Sequence, residues 1–390
     1  MRTTIPGFRL PEGRCCNKIR ETIVEQKLDV VKVWQDLHKT PELGFEEVKT
    51  SAYLAEALEK IGYEVHRGIA KTGVVGYKRT NVPGPVLMLR ADMDALPFKN
   101  DDGTIERVHA CGHDSHSAML LTAAAYLFDK VKKGTLKIFF QPAEETIFGA
   151  QRSIDDGVID DVDMALGLHI RPIQDLKAGD MCAAVRHSAS TMVKILVHGR
   201  TAHASRPHLG VNCCEAAAAI TQAVAAIKLN PAQTWSVKVT SIKCSSGAIN
   251  IIPDEAELLV DCRAQTNPLM RELQEKLKAA ATGGAASVGA TAEVIALGSC
   301  PAAEYDEDLV AEVADVIKSV VGAEHLDKDC GGGGEDFHYF KQKKPSIKNA
   351  YFGVGVGCEP GLHNRNMHFD PQYLINGVKV LETMALKYIG

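Results

Sequence analysis

Apolar residues recur at helical spacing over 29–37 and again from Glu46 to Ile61, where Gly62 follows as a natural C-terminal cap. Val86 to Arg90 is a short apolar run bounded by Pro85 and by the acidic turn Asp92-Met93-Asp94, which predicts a buried strand. A helix is expected over 115–130, and strands over 136–141 and 164–169. Apolar strands alternating with helices imply a mostly parallel sheet covered on both faces, an α/β fold.

The pattern changes near Gly179. Up to about Leu297 it reads strand, helix, strand, strand, helix, strand, over 192–198, 213–227, 236–243, 255–263, 269–281 and 292–297. That order predicts a compact α+β insert with an antiparallel sheet. A helix over 309–321, a strand over 350–356 and a closing helix over 371–388 then return to the first layer, with Pro371 suited to a first helical turn. The expected division is residues 1–182 with 298–390 as one domain, and 183–297 as an inserted one. A chain of 390 residues exceeds what one core comfortably supports, which agrees with two domains.

Composition narrows the class without naming a chemistry. The chain is 45% hydrophobic and 24% charged, ordinary for a globular protein. A net charge of −5, from 44 basic and 49 acidic residues, leaves no electrostatic footprint for nucleic acid or an anionic membrane. The apolar stretch from Ala118 to Phe128 is far shorter than the ~20 residues a membrane span needs. Residues 1–20 lack an apolar h-region and read as an irregular arm rather than a secretory signal. The 11 cysteines are odd in number and include the neighbours Cys15-Cys16 and Cys213-Cys214, which bridge each other only with strain. They suggest a reducing, cytoplasmic setting with most thiols buried as small hydrophobes.

Four places concentrate residues that ligate metals or move protons. His109, Cys111, His113 and His116 fall within eight positions just before a predicted helix, whose positive end would favour the Cys111 thiolate. Taken alone, a helix start with chance histidines explains that segment equally well. Glu144 and Glu145 follow a strand, where one carboxylate can bind a metal while its neighbour handles protons. His169 ends an apolar strand, the edge at which α/β sheets bind ligands. His363 lies in a glycine-led loop with His368 five residues on. Together Cys111, His113, Glu145, His169 and His363 sit at or just beyond element ends. Five ligands exceed one tetrahedral site and suit two ions.

These residues resemble the aminoacylase, hippurate hydrolase and auxin-conjugate hydrolase group of the carboxypeptidase-G-like metallopeptidase clan. The stretches that carry the likeness are 90–97, 109–116, 141–145, 199–207, 250–254, 335–337 and 362–370, in order along nearly the whole chain. The resemblance implies a catalytic domain with two divalent ions, zinc or manganese, and an inserted lid that often forms a homodimer. It implies hydrolysis of the amide bond of an N-acyl amino acid or similar small conjugate by a metal-activated water. It assigns the metal to Cys111, His113, Glu145, His169 and His363, the spacing to Asp370 favouring His363 over His368. Glu144 would be the general base, and Asp94 would orient the site from behind. On the lid, His203 would bind the carbonyl oxygen across a dimer and Asn250 would lie near substrate. Arg263 is a candidate carboxylate clamp by its chemistry.

Two other readings stay open: a metal-dependent dipeptidase or aminopeptidase, against which Cys111 argues, and a non-catalytic binding protein, against which Glu144 argues. The chain departs from the family pattern in a short segment between Pro97 and His109. It also departs at Thr146-Ile147-Phe148 in place of glycines, at Arg365 in place of a proline, and in the glycine run before Glu335. All of these flank the pocket, and Phe148 is placed to make the acyl side apolar.

Overall fold

The computed structural model describes residues 28–390, so the expected N-terminal arm and the Cys15-Cys16 pair lie outside the described residues. The larger sheet has eight strands. Their order is Glu64–Ile69, Gly73–Arg79, Thr135–Gln141, Val86–Asp92, Met164–Pro172, Lys348–Cys358, Met181–Cys182 and Leu326–Asp327. The four central strands, from Thr135–Gln141 to Lys348–Cys358, run parallel. The mostly parallel α/β sheet expected from the sequence is the one that forms.

Alternation along a strand explains why both faces are covered. Leu87, Leu89 and Ala91 pack on one side, with the helices Val30–His38, His113–Leu127, Glu307–Val321 and Leu374–Ile389. Met88 points the other way, into a smaller cluster with Phe139, Phe337, Phe340 and Tyr351. Because both faces are largely apolar, the parallel strands read as near-continuous hydrophobic runs, broken at buried positions such as Arg90 and Lys137.

The second sheet has four antiparallel strands, in the order Trp235–Cys244, Glu255–Ala264, Ala189–His198 and Thr291–Cys300. The helices Cys213–Ala225 and Asn267–Ala286 cover one face and form a core with Ile195, Leu258 and Val260 that is distinct from the first. No helix among the described residues is long and apolar enough to cross a membrane.

Two boundaries move from their expected places for reasons that matter to the site. The strand expected to stop at Arg90 continues to Asp92, which pairs in register with Gln141. The helix expected from Ser115 begins at His113, because Gly112 caps it in a left-handed conformation with φ 84°. A side chain there would also collide with Ile170, whose Cδ1 lies 2.3 Å from an ideal Cβ position.

Leu166 is fully buried in the Met164–Pro172 strand. Leu166→Ala should lower the unfolding free energy by about 2–5 kcal/mol, read from urea or guanidinium midpoints. A loss well under 1 kcal/mol would show that this face is not close-packed.

Candidate metal centre

The catalytic-side candidates gather toward the carboxyl-end side of the four parallel strands, although the strand expected to end at His169 runs on to Pro172. His169 lies within the Met164–Pro172 strand. Asp94 follows the Val86–Asp92 strand, and Glu144 opens a short 3-10 turn after Gln141. Cys111 and His113 flank Gly112. His363 sits in the loop after Lys348–Cys358, held by its own N–H donating to the Ala110 carbonyl at 2.7 Å, with φ 59°.

The ligand-type atoms of Cys111, His113 and His169 lie within 4.8 Å of one another. The same holds for Cys111 with Glu145 and His363, and for His113 with Glu144 and Glu145. Cys111 Sγ is 3.4 Å from His169 Nε2, and His363 Nε2 is 3.5 Å from Glu145 Oε1. His368 belongs to none of these groups; its Nδ1 contacts the Asn366 carbonyl at 3.1 Å and its backbone pairs with Glu359.

The ring nitrogens are oriented. His113 Nδ1 donates to Asp94 Oδ1 at 3.0 Å, and Asp94 Oδ2 accepts the Glu145 N–H at 3.0 Å. His169 Nδ1 donates to the Ile170 carbonyl. Each imidazole therefore turns Nε2 toward the cluster. His113 Nε2 and Glu145 Oε1 are buried there with no hydrogen-bond partner among the described residues. Buried polar atoms left unpaired are costly, and lone pairs converging from imidazole, thiol and carboxylate suit a divalent cation. The residues present fit the metal that the sequence anticipates.

Protonation behaviour supports the same fit. Burial pushes the Cys111 thiol well above its usual range, and Glu145 adds to this. The expected help from the helix N-terminus does not prevail, so only a cation at the sulfur would bring out the thiolate. Burial and the neighbouring Glu335, Glu145 and Asp336 carboxylates push Glu144 well up, while burial carries Glu145 to about 7. His169 is held well below the imidazole range by burial, then by His116 and Arg171. For His113 burial opposes the charge, but Asp92, Cys111 and the hydrogen bond to Asp94 together outweigh it and hold the ring well above that range.

The adjacent glutamates do diverge. Glu145 faces Cys111 and His363, whereas Glu144 groups with Glu335 and Asp336. Behind them Arg90, with no solvent exposure, donates to Asp92 at 2.7 Å and to Gln141, Glu335 and Asp336 at 3.0 Å each. His116 Nδ1 donates to Asp92 at 2.6 Å, and its Nε2 accepts the Ile170 N–H at 2.9 Å, pinning the strand beside His169. His116 thus spends both nitrogens inside the protein, whereas His109 is buried with neither ring nitrogen partnered among the described residues and joins no ligand group among them.

Arg90, Asp92, Glu335 and Asp336 carried no assigned role in the sequence, and His116 appeared there only as one of four ligand-type residues. An arginine in the apolar run Val86–Arg90 was the available signal, because a buried guanidinium requires carboxylates. Glu47 was missed altogether. It is fully buried, its Oε1 accepts the Ala143 N–H at 2.8 Å and its Oε2 the Thr72 hydroxyl at 2.6 Å. Ala143, with φ 57°, is the left-handed residue that launches Glu144.

The lid candidates lie apart from this cluster. His203 is exposed, with Nδ1 accepting from Ser205, and its strand Ala202–His203 pairs with Ile251–Ile252 beside Asn250. Arg263 is bound to Asp261 on its own strand at 3.0–3.1 Å. At the Thr146-Ile147-Phe148 departure, Phe148 remains 43% exposed. Ile147 is the residue that reaches the second sheet, its Cδ1 lying 2.2 Å from where a Cβ on Gly298 would be.

Residues 88–387 match the family described as Peptidase family M20/M25/M40. The chain belongs to this family. A Saccharolobus solfataricus protein named thermostable carboxypeptidase 2 is 31% identical over 95% of this chain and 98% of its own length. The hippurate hydrolase of Campylobacter jejuni is 31% identical over 94% of this chain and 98% of its own. A Bacillus subtilis crystal structure described as a dinuclear metal binding peptidase from the M20 family covers 94% of this chain and 98% of its own, with TM-score 0.76 and 25% identity. This M20 chain is a metal-dependent hydrolase of the amidohydrolase kind.

Glu47 supplies a pH test of the turn that presents the glutamates. Burial raises its carboxyl from 4.5 to about 7 in the folded protein. Its contribution to stability is therefore full below about pH 4.5 and is lost as pH rises through about 7. Glu47→Gln should remove that component, so urea midpoints of variant and wild type should converge or cross between pH 5 and pH 8. Parallel curves over that range would show that Glu47 does not titrate there.

Proposed function

We propose that this M20 hydrolase cleaves the amide bond of an N-acyl amino acid or a similarly small conjugate. The observation that carries the reading is the cluster of Cys111, His113, Glu145, His169 and His363 with Glu144 beside it. Two divalent cations held there, zinc or manganese by their tolerance of mixed S, N and O donors, would polarise the scissile carbonyl and lower the pKa of water. Glu144 takes the proton from the attacking water and later delivers it to the departing amine. Its raised affinity for protons suits that second task. Asp94 fixes the His113 tautomer and the Glu145 backbone at once.

In this reading residues 1–182 with 298–390 form the catalytic domain and 183–297 a lid. His203 on that lid binds the substrate carbonyl of a neighbouring subunit in a homodimer, and Asn250 lies near the substrate. Arg263 would have to exchange Asp261 for a substrate carboxylate before it could act as a clamp.

A second reading, cleavage of free peptides, has the carboxypeptidase-named relative in its favour. A panel of N-acetyl, N-benzoyl and longer N-acyl amino acids set against dipeptides decides between them. Turnover confined to the dipeptides would sink the acyl-amino-acid reading.

Glu144→Gln should lower kcat by at least about 100-fold while metal content, measured by mass spectrometry of the dialysed protein, stays at the wild-type value. Near-normal turnover would remove Glu144 as the base. Asp94→Ala should weaken metal affinity by about 10–100-fold, measured by chelator competition. Unchanged affinity would mean that the Asp94–His113 hydrogen bond does not support the site.

A further inference from the structure

Cys182 and Cys330 meet sulfur to sulfur at 3.3 Å across 148 positions of sequence. Cys182 is fully buried in the short strand Met181–Cys182, between Lys348–Cys358 and Leu326–Asp327, boxed against Gly353. Cys330 is half-buried and opens the short strand Cys330–Gly331, which pairs with Val185–Arg186. The buried Arg171 guanidinium lies over this pair, donating to the Gly331 carbonyl at 3.1 Å and to Asp175. Its Nε has no hydrogen-bond partner among the described residues.

The two thiols are unequal. Contact with Cys182 and the charge of Arg171 bring the Cys330 thiol below its usual range despite burial, while contact with Cys330 and burial drive Cys182 well up. A half-buried thiol beside a cation, touching a fully buried second thiol, has the arrangement of an attacking and a resolving cysteine. Immediately after Cys330 comes the run Gly331 to Gly334, with φ 97° at Gly332 and 74° at Gly333, and then Glu335 and Asp336. Those two carboxylates hold Arg90 and group with Glu144. The glycine run is thus the short tether between the thiol pair and the acid–base side of the site.

We propose that Cys330 and Cys182 are a peroxide-oxidisable dithiol whose closure to a disulfide shifts the Gly331–Gly334 tether and slows turnover. The Cys330 thiolate attacks one oxygen of hydrogen peroxide, the O–O bond breaks, and hydroxide leaves to take up a proton as water. Cys330 is then a sulfenic acid. Cys182, losing its proton, attacks that sulfur; the S–S bond forms, the S–O bond breaks, and a second water departs. The dithiol gives up two electrons and two protons, and the peroxide accepts them. The sulfurs must close from 3.3 Å to about 2.05 Å, a movement the neighbouring glycines can absorb.

A second pair, Cys214 and Cys244, touches at 2.8 Å in the inserted layer, so the test carries Cys214→Ser in every protein. The metal-loaded protein is treated with hydrogen peroxide, mapped by mass spectrometry without reduction, and assayed on an N-acyl amino acid. A Cys182–Cys330 linked peptide should appear. Turnover should fall about tenfold or more, since displacement of a catalytic group by ~1 Å can cost about 100-fold. Dithiothreitol should restore it, and Cys330→Ser should keep its turnover under peroxide. Absence of the linked peptide, a linked peptide with unchanged turnover, or equal loss in Cys330→Ser would each overturn the proposal. If circular dichroism shows Cys330→Ser unfolded, Cys182→Ala takes its place. The turnover arm rests on the amide-hydrolysis reading. A protein inactive on every acyl substrate fails that reading, while the peptide map still decides the dithiol.

Discussion

Arg90 carries a permanent charge with no access to solvent, and the geometry of the site depends on how that charge is met. It reaches Asp92 at the end of its own strand, Gln141 at the end of the next, and Glu335 and Asp336 from the far loop. Tyr351, from a third strand, donates to Glu335 at 2.6 Å. One guanidinium therefore fixes the spacing of three parallel strands and of the segment that follows the glycine run. Removing one partner of such a buried set typically costs about 3–5 kcal/mol, because the remaining charges are left uncompensated. The network is better understood as a device for position than as a source of net stability. The carboxylates gathered around Arg90 are also the ones that press on Glu144.

A site built this way buries acidic groups that would otherwise be solvated. Burial first, and the neighbouring carboxylates after it, drive Glu144 and Glu145 upward and Cys111 further from its thiolate, and two ligand atoms lack partners among the described residues. Divalent cations would resolve all of these at once, since a metal inverts the local preference for protonation. The same burial gives Glu144 its use. Among carboxylates already shared out to Arg90, it is the group that can carry a proton without breaking a structural hydrogen bond.

Much of the site could be read from the chain because its ligands are chemically rare and stand at element ends. Cys111, His113, Glu145, His169 and His363 were each placed by a neighbouring strand or helix boundary, and the structure brings those five together. What the sequence could not show depends on contacts between distant positions. Glu47 lies 96 residues from the Ala143 N–H it accepts, and nothing near it in sequence hints at that bond. His109 and His116 flank the motif with equal claims as ligands, and only the fold separates them: His116 is spent on Asp92 and Ile170, His109 on nothing among the described residues. The spacing to Asp370 already favoured His363 over His368; the fold adds the backbone bond to Ala110 that holds the His363 loop. For Cys111 a helix terminus is weighed easily from sequence, whereas the opposing effect of burial is not.

The departure after the paired glutamates follows the same logic. A β-branched residue at φ 59° sits in the left-handed region, where such strain typically costs about 1–3 kcal/mol. Ile147 tolerates it because its side chain lies against the one residue of the facing strand with no Cβ, Gly298, next to Met192. A glycine at 147 would free the turn and leave this contact empty, whereas Ile147 against Gly298 bridges the glutamate turn and the second sheet. Any motion of that sheet relative to Glu144 must therefore move or break an apolar contact three residues from the base. Loop chemistry that looks like a loss of flexibility in the sequence becomes, in the fold, a mechanical link between the two layers.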